Sequence, residues 1–271
     1  YDFTRNIVGE EGNVTLLISA GTEPHEYDPT AKDIAKISQS DALVYDNENM
    51  ETWVPTVMKS LTDSKVKEIK ATKDMELLPI EDDHDHEGEE HHDEHEHEFD
   101  PHVWLDPMNV AKEVDAVVEA FSKADPTNAK YYAENGKAYK EKLQALHAKY
   151  EEFSKTQHDK HLVVSHMAFG YLANAYGFEQ LGIMGVSPDA EPTPERMADI
   201  VAFIKEHNVK AIFSEELVSP KLANAIAAET GVKVYVLNPA EGLTEEQAQK
   251  NVTYLDIMEE NLKTLKEALA H

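Results

Sequence analysis

Histidines are the residues of this sequence with the greatest potential for chemistry: the chain has 14 of them and no cysteine. A neutral imidazole nitrogen is a common ligand of transition metals, and a carboxylate often completes such a ligand set. The absence of cysteine excludes thiolate metal sites and structural disulfides. A metal site in this chain would therefore be built from imidazole and carboxylate.

Four candidate ligands stand out by their place in the sequence: His25, His102, His166 and Glu241. Each of His25, His166 and Glu241 comes at or just after the end of a predicted strand, whereas His102 lies in a proline-flanked loop before a helix. Ligands of open α/β sheets bind outside the carboxyl ends of the strands. The pattern predicts that these four side chains meet in one cleft.

Three imidazoles and one carboxylate suit four-coordinate Zn²⁺, whereas a manganese site would contain more oxygen ligands. A metal held by four protein ligands has no open position for a substrate water, which argues against hydrolysis. No H-E-x-x-H, P-loop, G-x-G-x-x-G or G-x-S-x-G occurs in the chain. The sequence therefore predicts a binding protein and not an enzyme.

A second group of histidines lies in residues 81–98, here called the acid–histidine loop, which consists almost entirely of acid and imidazole. Such a segment cannot bury enough apolar surface to fold alone. We expect a flexible loop that binds zinc weakly, as an accessory to the main site; the alternative is a solvated insertion with incidental metal binding. Its six histidines are His84, His86, His91, His92, His95 and His97.

The other polar candidates have less specific positions. Glu215 and Glu216 follow a predicted strand, and they are interpreted either as hydrogen-bond partners of a ligand imidazole or as solvated surface. Glu241 is expected to be the most exposed of the four ligands and the easiest for water to replace. The remaining histidines are interpreted as surface or terminal residues: His147, His158, His161, His207 and His271.

The elements that must position these residues alternate between strand and helix, which predicts an α/β fold with mainly parallel sheets. The alternation occurs twice, on either side of one long helical pattern. We predict an N-terminal α/β lobe at 1–125, a rigid linking helix at 126–156 and a C-terminal α/β lobe at 157–271. The predicted strands are 13–19, 41–46, 65–69, 161–166, 178–183, 209–215 and 232–238.

The formal net charge is −28, with 53 acidic and 25 basic residues, so a nucleic acid is not expected as a partner because its phosphates would be repelled. A cation is a more suitable ligand for such an acidic chain than a nucleic acid. No apolar run approaches the roughly 20 residues that span a bilayer. The first residues, YDFTRNIVGEEG, read as the middle of a helix, which predicts that the natural chain starts earlier.

Five motifs lie at the candidate ligands and around them: G-T-E-P-H-E-Y-D-P (21–29), D-P-H-V-W-L-D-P (100–107), S-H-M-A-F-G-Y-L (165–172), G-V-S-P-D-A-E-P-T-P (185–194) and F-S-E-E (213–216). Taken together, these motifs resemble the metal-binding subunit of bacterial zinc ABC importers, the AdcA/ZnuA type of cluster A-I solute-binding proteins. The resemblance covers essentially the whole chain, except that the family's first strand, before Y-D-F-T, is absent.

The resemblance implies two similar α/β lobes joined by a rigid helix, with Zn²⁺ in the cleft between them. It also implies an extracytoplasmic monomer, either a lipid-anchored cell-surface protein or a periplasmic one, that captures zinc and delivers it to an ABC permease. Membrane association would occur only through a lipid anchor or the permease. Histidine at position 166 favours zinc, since manganese members tend to have glutamate there.

Three alternatives remain open on the sequence. The same architecture could bind Mn²⁺ or Fe²⁺, a zinc-dependent hydrolase would be a different class, and an adhesin would use its metal as a structural element.

Overall fold

The computed structural model describes residues 1–61, 64–80, 99–188 and 191–270. Six strands in these ranges form two sheets, and every strand pair is parallel. The strands are β1 Ala42–Tyr45, β2 Lys67–Lys70, β3 His161–Val164, β4 Glu179–Gly182, β5 Ala211–Ser214 and β6 Lys233–Val236.

Ten α-helices surround the sheets in the described residues, and several begin and end as their sequences predict. Thr193 caps one helix with Pro194 in its first turn, and Gly177 and Gly231 end two others in the left-handed conformation. The helices are α1 Asp2–Val8, α2 Ala31–Ser38, α3 Val54–Ser60, α4 Pro107–Ala124, α5 Ala129–Lys155, α6 Gly170–Tyr176, α7 Pro194–Glu206, α8 Lys221–Thr230, α9 Glu245–Gln249 and α10 Tyr254–Ala268.

The larger sheet has the order β4-β3-β5-β6, and β1 and β2 form the smaller one. In the larger sheet, the central strands β3 and β5 are buried on both faces. Leu162, Val163 and Val164 of β3 have no exposed surface, and all four residues of β5 are buried. Parallel sheets require such burial because crossover helices cover both faces. The predicted α/β fold with parallel sheets is confirmed.

Helix α5 has 27 residues and is about 40 Å long at 1.5 Å per residue. It packs on α4 and α1 on one side and on α10 and α6 on the other. A Cβ at Gly136 would lie 2.6 Å from Val118 Cγ2, so this glycine allows α4 and α5 to approach closely. The long helix is present, whereas its rigidity and the lobe boundaries 1–125, 126–156 and 157–271 stay predictions.

Two predicted elements are wrong. Residues 13–19 are irregular, and none of them pairs with a strand among the described residues, so their alternating pattern has no neighbour to supply a ladder. The helical pattern of residues 244–269 predicts one C-terminal helix, but the segment is divided into α9 and α10. Asn251 has φ 53°, which stops α9, and Thr253 caps α10 in a capping box with Asp256.

No described helix is both long and apolar enough to cross a membrane.

Candidate metal centre

The four predicted ligands converge. One nitrogen of each histidine and one oxygen of Glu241 all lie within 4.8 Å of one another. His102 Nε2 is 3.0 Å from Glu241 Oε1, 3.2 Å from His25 Nε2 and 3.4 Å from His166 Nε2. Glu241 Oε1 is 3.1 Å from His166 Nε2 and 3.8 Å from His25 Nε2.

These separations match a small tetrahedral ion. Zinc bonds of 2.0–2.1 Å arranged as a tetrahedron place neighbouring ligand atoms about 3.3 Å apart. Five of the six separations between donor atoms are 3.0–3.8 Å, around that value, and all six are within 4.8 Å. The four atoms can therefore bind one ion after only small side-chain movements.

His25 is held by a short 3₁₀ turn, Pro24–Glu26, that follows an irregular loop. The carboxylate of Glu23 accepts a hydrogen bond of 3.3 Å from the backbone N–H of His25. The backbone N–H of Gly21 donates to the carbonyl of Leu243 at 2.7 Å. The loop that contains His25 is thus attached to the loop that contains Glu241.

Asp100 orients His102, and sequence reasoning missed it. One oxygen of Asp100 accepts from the backbone N–H of His102 at 2.9 Å and lies 2.7 Å from its Nδ1. Donation by Nδ1–H leaves the Nε2 lone pair for a metal, and a carboxylate partner raises the basicity of a ligand imidazole. The available signal was the D-P-H triplet, in which the carboxylate precedes the histidine by two residues.

Glycine at position 170 provides the space for that carboxylate. A Cβ at Gly170 would lie 2.3 Å from the second oxygen of Asp100. The hydroxyl of Tyr171 also donates to the backbone carbonyl of Asp100 at 3.1 Å. The start of α6 therefore fixes Asp100 on two sides.

His166 lies just beyond β3 and is fully buried. Its backbone N–H donates to Glu215 Oε1 at 3.1 Å. Its Nδ1 is 2.8 Å from Glu215 Oε2, although the pair lacks the angle of a hydrogen bond. Glu215 thus contacts a ligand imidazole, whereas Glu216 accepts hydrogen bonds from the side-chain amides of Asn238 and Gln247.

The side chain of Glu241 is buried, contrary to expectation: only 2% of it is exposed, although the residue as a whole, backbone included, is half-buried. Asn238 holds the loop, since its side chain accepts from the backbone N–H of Ala240 at 2.7 Å and its backbone pairs with Asn261. Trp104 Nε1, close to His102 in sequence, donates to the carbonyl of Pro239 at 2.7 Å. Contacts from distant parts of the chain therefore enclose the carboxylate.

The electrostatics favour a cation between these groups. Burial lowers the pKa of His166, but its contacts with the carboxylates of Glu215 and Glu241 outweigh this effect and raise the pKa to about 10. For His102, burial is likewise outweighed by Asp100 and Glu241, so its pKa lies above the usual value. Burial raises the pKa of Glu241, but the three imidazoles lower it well below its usual range.

The six histidines of the acid–histidine loop and His271 lie outside the described residues. The backbone on either side of the loop is paired: Pro79 and Phe99 form an antiparallel bridge, and Asp100 N–H donates to the Leu78 carbonyl at 2.9 Å. The loop thus begins and ends next to the segment that carries His102.

Comparison with known proteins identifies relatives of the whole chain. The family described as "Zinc-uptake complex component A periplasmic" matches residues 1–268. The zinc-binding lipoprotein AdcA of Streptococcus pneumoniae serotype 4 is 48% identical over 271 residues, which cover 98% of this chain and 53% of AdcA. The high-affinity zinc uptake system protein ZnuA of Bacillus subtilis is 43% identical over 269 residues, 99% of this chain and 84% of ZnuA.

A crystal structure of the Zn(II)-bound ZnuA-like domain of S. pneumoniae AdcA superposes with a TM-score of 0.85 at 45% identity, covering 100% of this chain and 96% of that domain. This chain spans about half the length of the AdcA relatives it matches. The family match spans nearly the whole chain, and identities of 43–48% over that length are higher than a shared fold alone would produce. The chain belongs to the ZnuA family of periplasmic zinc-uptake components.

Proposed function

We propose that this chain is the zinc-capturing part of an uptake system: it binds one Zn²⁺ tightly between His25, His102, His166 and Glu241 and delivers it to an ABC permease. It acts outside the cytoplasm and catalyses no reaction. The observation that carries the proposal is the convergence of three imidazole nitrogens and one carboxylate oxygen at tetrahedral spacing.

The donor set favours Zn²⁺ over Mn²⁺ or Fe²⁺. Three nitrogens and one oxygen suit zinc, whereas harder ions favour more carboxylate or water ligands. Neutral imidazoles and one carboxylate leave the zinc site with a net charge of +1, and the carboxylates of Asp100 and Glu215 behind the imidazoles change the total to −1. Four protein donors leave no position for a catalytic water, so a hydrolase is not favoured.

The relatives support the partner and the location. AdcA of S. pneumoniae is named a zinc-binding lipoprotein and ZnuA of B. subtilis a high-affinity zinc uptake protein. By analogy, we place the chain at the cell surface or in the periplasm. We further propose that it acts as a monomer and associates with the membrane only through a lipid anchor or the permease. The cleft between the proposed lobes would open to accept and release the ion.

The acid–histidine loop is proposed as a weak accessory site that raises the zinc concentration near the cleft. The bridge between Pro79 and Phe99 flanks this loop, and Phe99 is three residues before His102. Binding groups attached this close to a site act at a high effective concentration. The composition of the acid–histidine loop predicts a segment that does not fold alone, and ordering such a segment around an ion costs about 1–2 kcal/mol per residue, so its affinity should be lower.

Competition against a zinc chelator tests the proposed site. His102→Ala and His166→Ala should each weaken tight binding by about ten-fold or more, because each removes a ligand from a closed set. His147→Gln is the matched control: this histidine lies on α5, away from the four ligands, with its Nδ1 3.0 Å from the Tyr176 hydroxyl and its Nε2 4.0 Å from Glu151 Oε1. Unchanged tight binding in either ligand variant would overturn the assignment, and tighter binding of Mn²⁺ than Zn²⁺ would overturn the choice of metal.

A further inference from the structure

A second group of imidazole and carboxylate side chains lies at the opposite end of the larger sheet. His161 is the first residue of β3, and His207 directly follows α7. Their ring centroids are 4.9 Å apart and their planes are tilted by 56°. Ring pairs of the metal centre are 5.2, 5.3 and 5.5 Å apart, so the two outlying rings have nearly the spacing of imidazoles that share an ion.

His161 is oriented in the same way as His102. Asp159 precedes it by two residues, and one oxygen of Asp159 accepts from the backbone N–H of His161 at 3.1 Å and lies 3.2 Å from its Nδ1. This repeats the arrangement of Asp100 with His102. Donation by Nδ1–H leaves the Nε2 lone pair of His161 available for a metal.

A carboxylate lies beside that free nitrogen. Glu179 begins β4 and is the register partner of His161. Its Oε2 is 3.7 Å from His161 Nε2, within the range of donor separations in the metal centre. Its side chain is 71% exposed and therefore free to rotate towards an ion.

Phe203 contacts both imidazoles. Its ring stacks on His207 at 4.2 Å and meets His161 edge-on at 5.3 Å. Contact with one aromatic ring keeps the two imidazoles near each other and limits their conformations without fixing them, which lowers the ordering cost of closing a site.

We propose that His161, His207 and Glu179 form a second, solvent-open site for Zn²⁺ or another imidazole-binding divalent cation, with water completing the coordination. Their donor atoms are not all within 4.8 Å of one another among the described residues, so Glu179 or His207 must rotate on binding. That movement and the open position make this site weaker than the metal centre.

The second site is separate from the metal centre. His161 and His166 lie five residues apart along β3 and its extension, which corresponds to about 16 Å at 3.3 Å per residue. This distance is too long for a shared ion. The chain would therefore bind more than one equivalent of zinc even without the acid–histidine loop.

Histidine side-chain NMR of the full chain, titrated with ZnCl₂, tests the proposal because every imidazole is read individually. The nitrogens of His161 and His207 should shift together after the first equivalent is bound. His207→Gln should raise the zinc concentration needed to shift His161 by about ten-fold, as expected for loss of a ligand. His147→Gln should leave that concentration unchanged.

Two results would overturn the second site: no zinc-dependent shift at His161 and His207, or a His161 response that is the same in His207→Gln as in the parent. A zinc-edge anomalous map of soaked crystals provides a second measurement, with a peak expected beside His161 Nε2 that disappears in His207→Gln. The response of His25, His102 and His166 in the same spectra tests the metal centre separately, so failure of one proposal is distinguishable from failure of the other.

Discussion

Asp100→Asn and Asp100→Ala test how the protein orients a metal ligand. The Asp100 side chain is 8% exposed, and its carboxylate contacts both the backbone N–H and the Nδ1 of His102, at 2.9 and 2.7 Å. Asparagine keeps one acceptor oxygen but loses the charge, whereas alanine loses both contacts. Removal of such a partner typically costs about 10–100-fold in metal affinity, or about 1.4–2.7 kcal/mol.

We therefore expect a graded loss of zinc affinity: about ten-fold for Asp100→Asn and about 100-fold for Asp100→Ala. Chelator competition measures both constants, and thermal unfolding shows whether each variant is folded. Asp106→Asn is the matched control, since it removes one carboxylate from the same segment and asparagine retains the cap of α4.

The orienting role of Asp100 would be refuted if both Asp100 variants folded normally and had zinc affinities within two-fold of that of the parent protein. It would also be refuted if Asp106→Asn caused the same loss as Asp100→Asn, because the effect would then be a general one of charge and not of the contact with His102.

Four further predictions follow from the site. Because the pKa of His166 is raised to about 10, Zn²⁺ must displace a proton from this imidazole when it binds. The affinity for zinc should therefore fall as the pH falls below 10, by about ten-fold per pH unit for each proton displaced. Isothermal titration that shows a constant zinc affinity from pH 7.5 to 5.5 would contradict this. Gly170→Ala should displace Asp100, which should weaken zinc binding and lower the free energy of unfolding by about 1–3 kcal/mol, measured by thermal unfolding. Gly185→Ala is the control: a Cβ there has nothing within 4 Å, so zinc affinity and stability should both stay unchanged. Glu241→Ala should weaken zinc about as much as loss of a histidine, since the carboxylate is buried; a much smaller loss in chelator competition would favour replacement by water. Deleting the acid–histidine loop should preserve the tight zinc site and the fold, because the backbone on either side of the loop is already paired. Calorimetry should then detect fewer weakly bound equivalents of zinc. Loss of the tight site would show that the loop supplies a primary ligand.

Much of this protein is determined by local sequence. Thr193 with Pro194 starts a helix and Gly231 ends another through backbone preferences of a few neighbouring residues, so these boundaries are readable without a structure. The candidate ligands are readable for a related reason. Parallel strands of one sheet end at a common edge, so topology places His166, beyond β3, near Glu241, beyond β6. Neither His25 nor His102 comes just after a strand among the described residues, so their approach to the site depends on the tertiary structure.

The tertiary structure decided what depends on distant neighbours. Residues 13–19 have an alternating pattern, but a strand also needs a partner, and none is available among the described residues. Glu241 follows a strand in a polar loop, yet the hydrogen bond from Trp104 to Pro239 and the bond from Gly21 to Leu243 enclose it.

The role of Asp100 and the need for glycine at 170 have the same origin. The two residues are separated by 70 positions, and only their contact in the fold shows that a Cβ at 170 would meet the carboxylate. Residue types and spacing therefore determined which atoms could bind a metal. Packing between remote segments decided how deeply those atoms are buried and which groups orient them. Burial and hydrogen bonding depend on contacts between distant residues, and the order of residues alone does not specify those contacts.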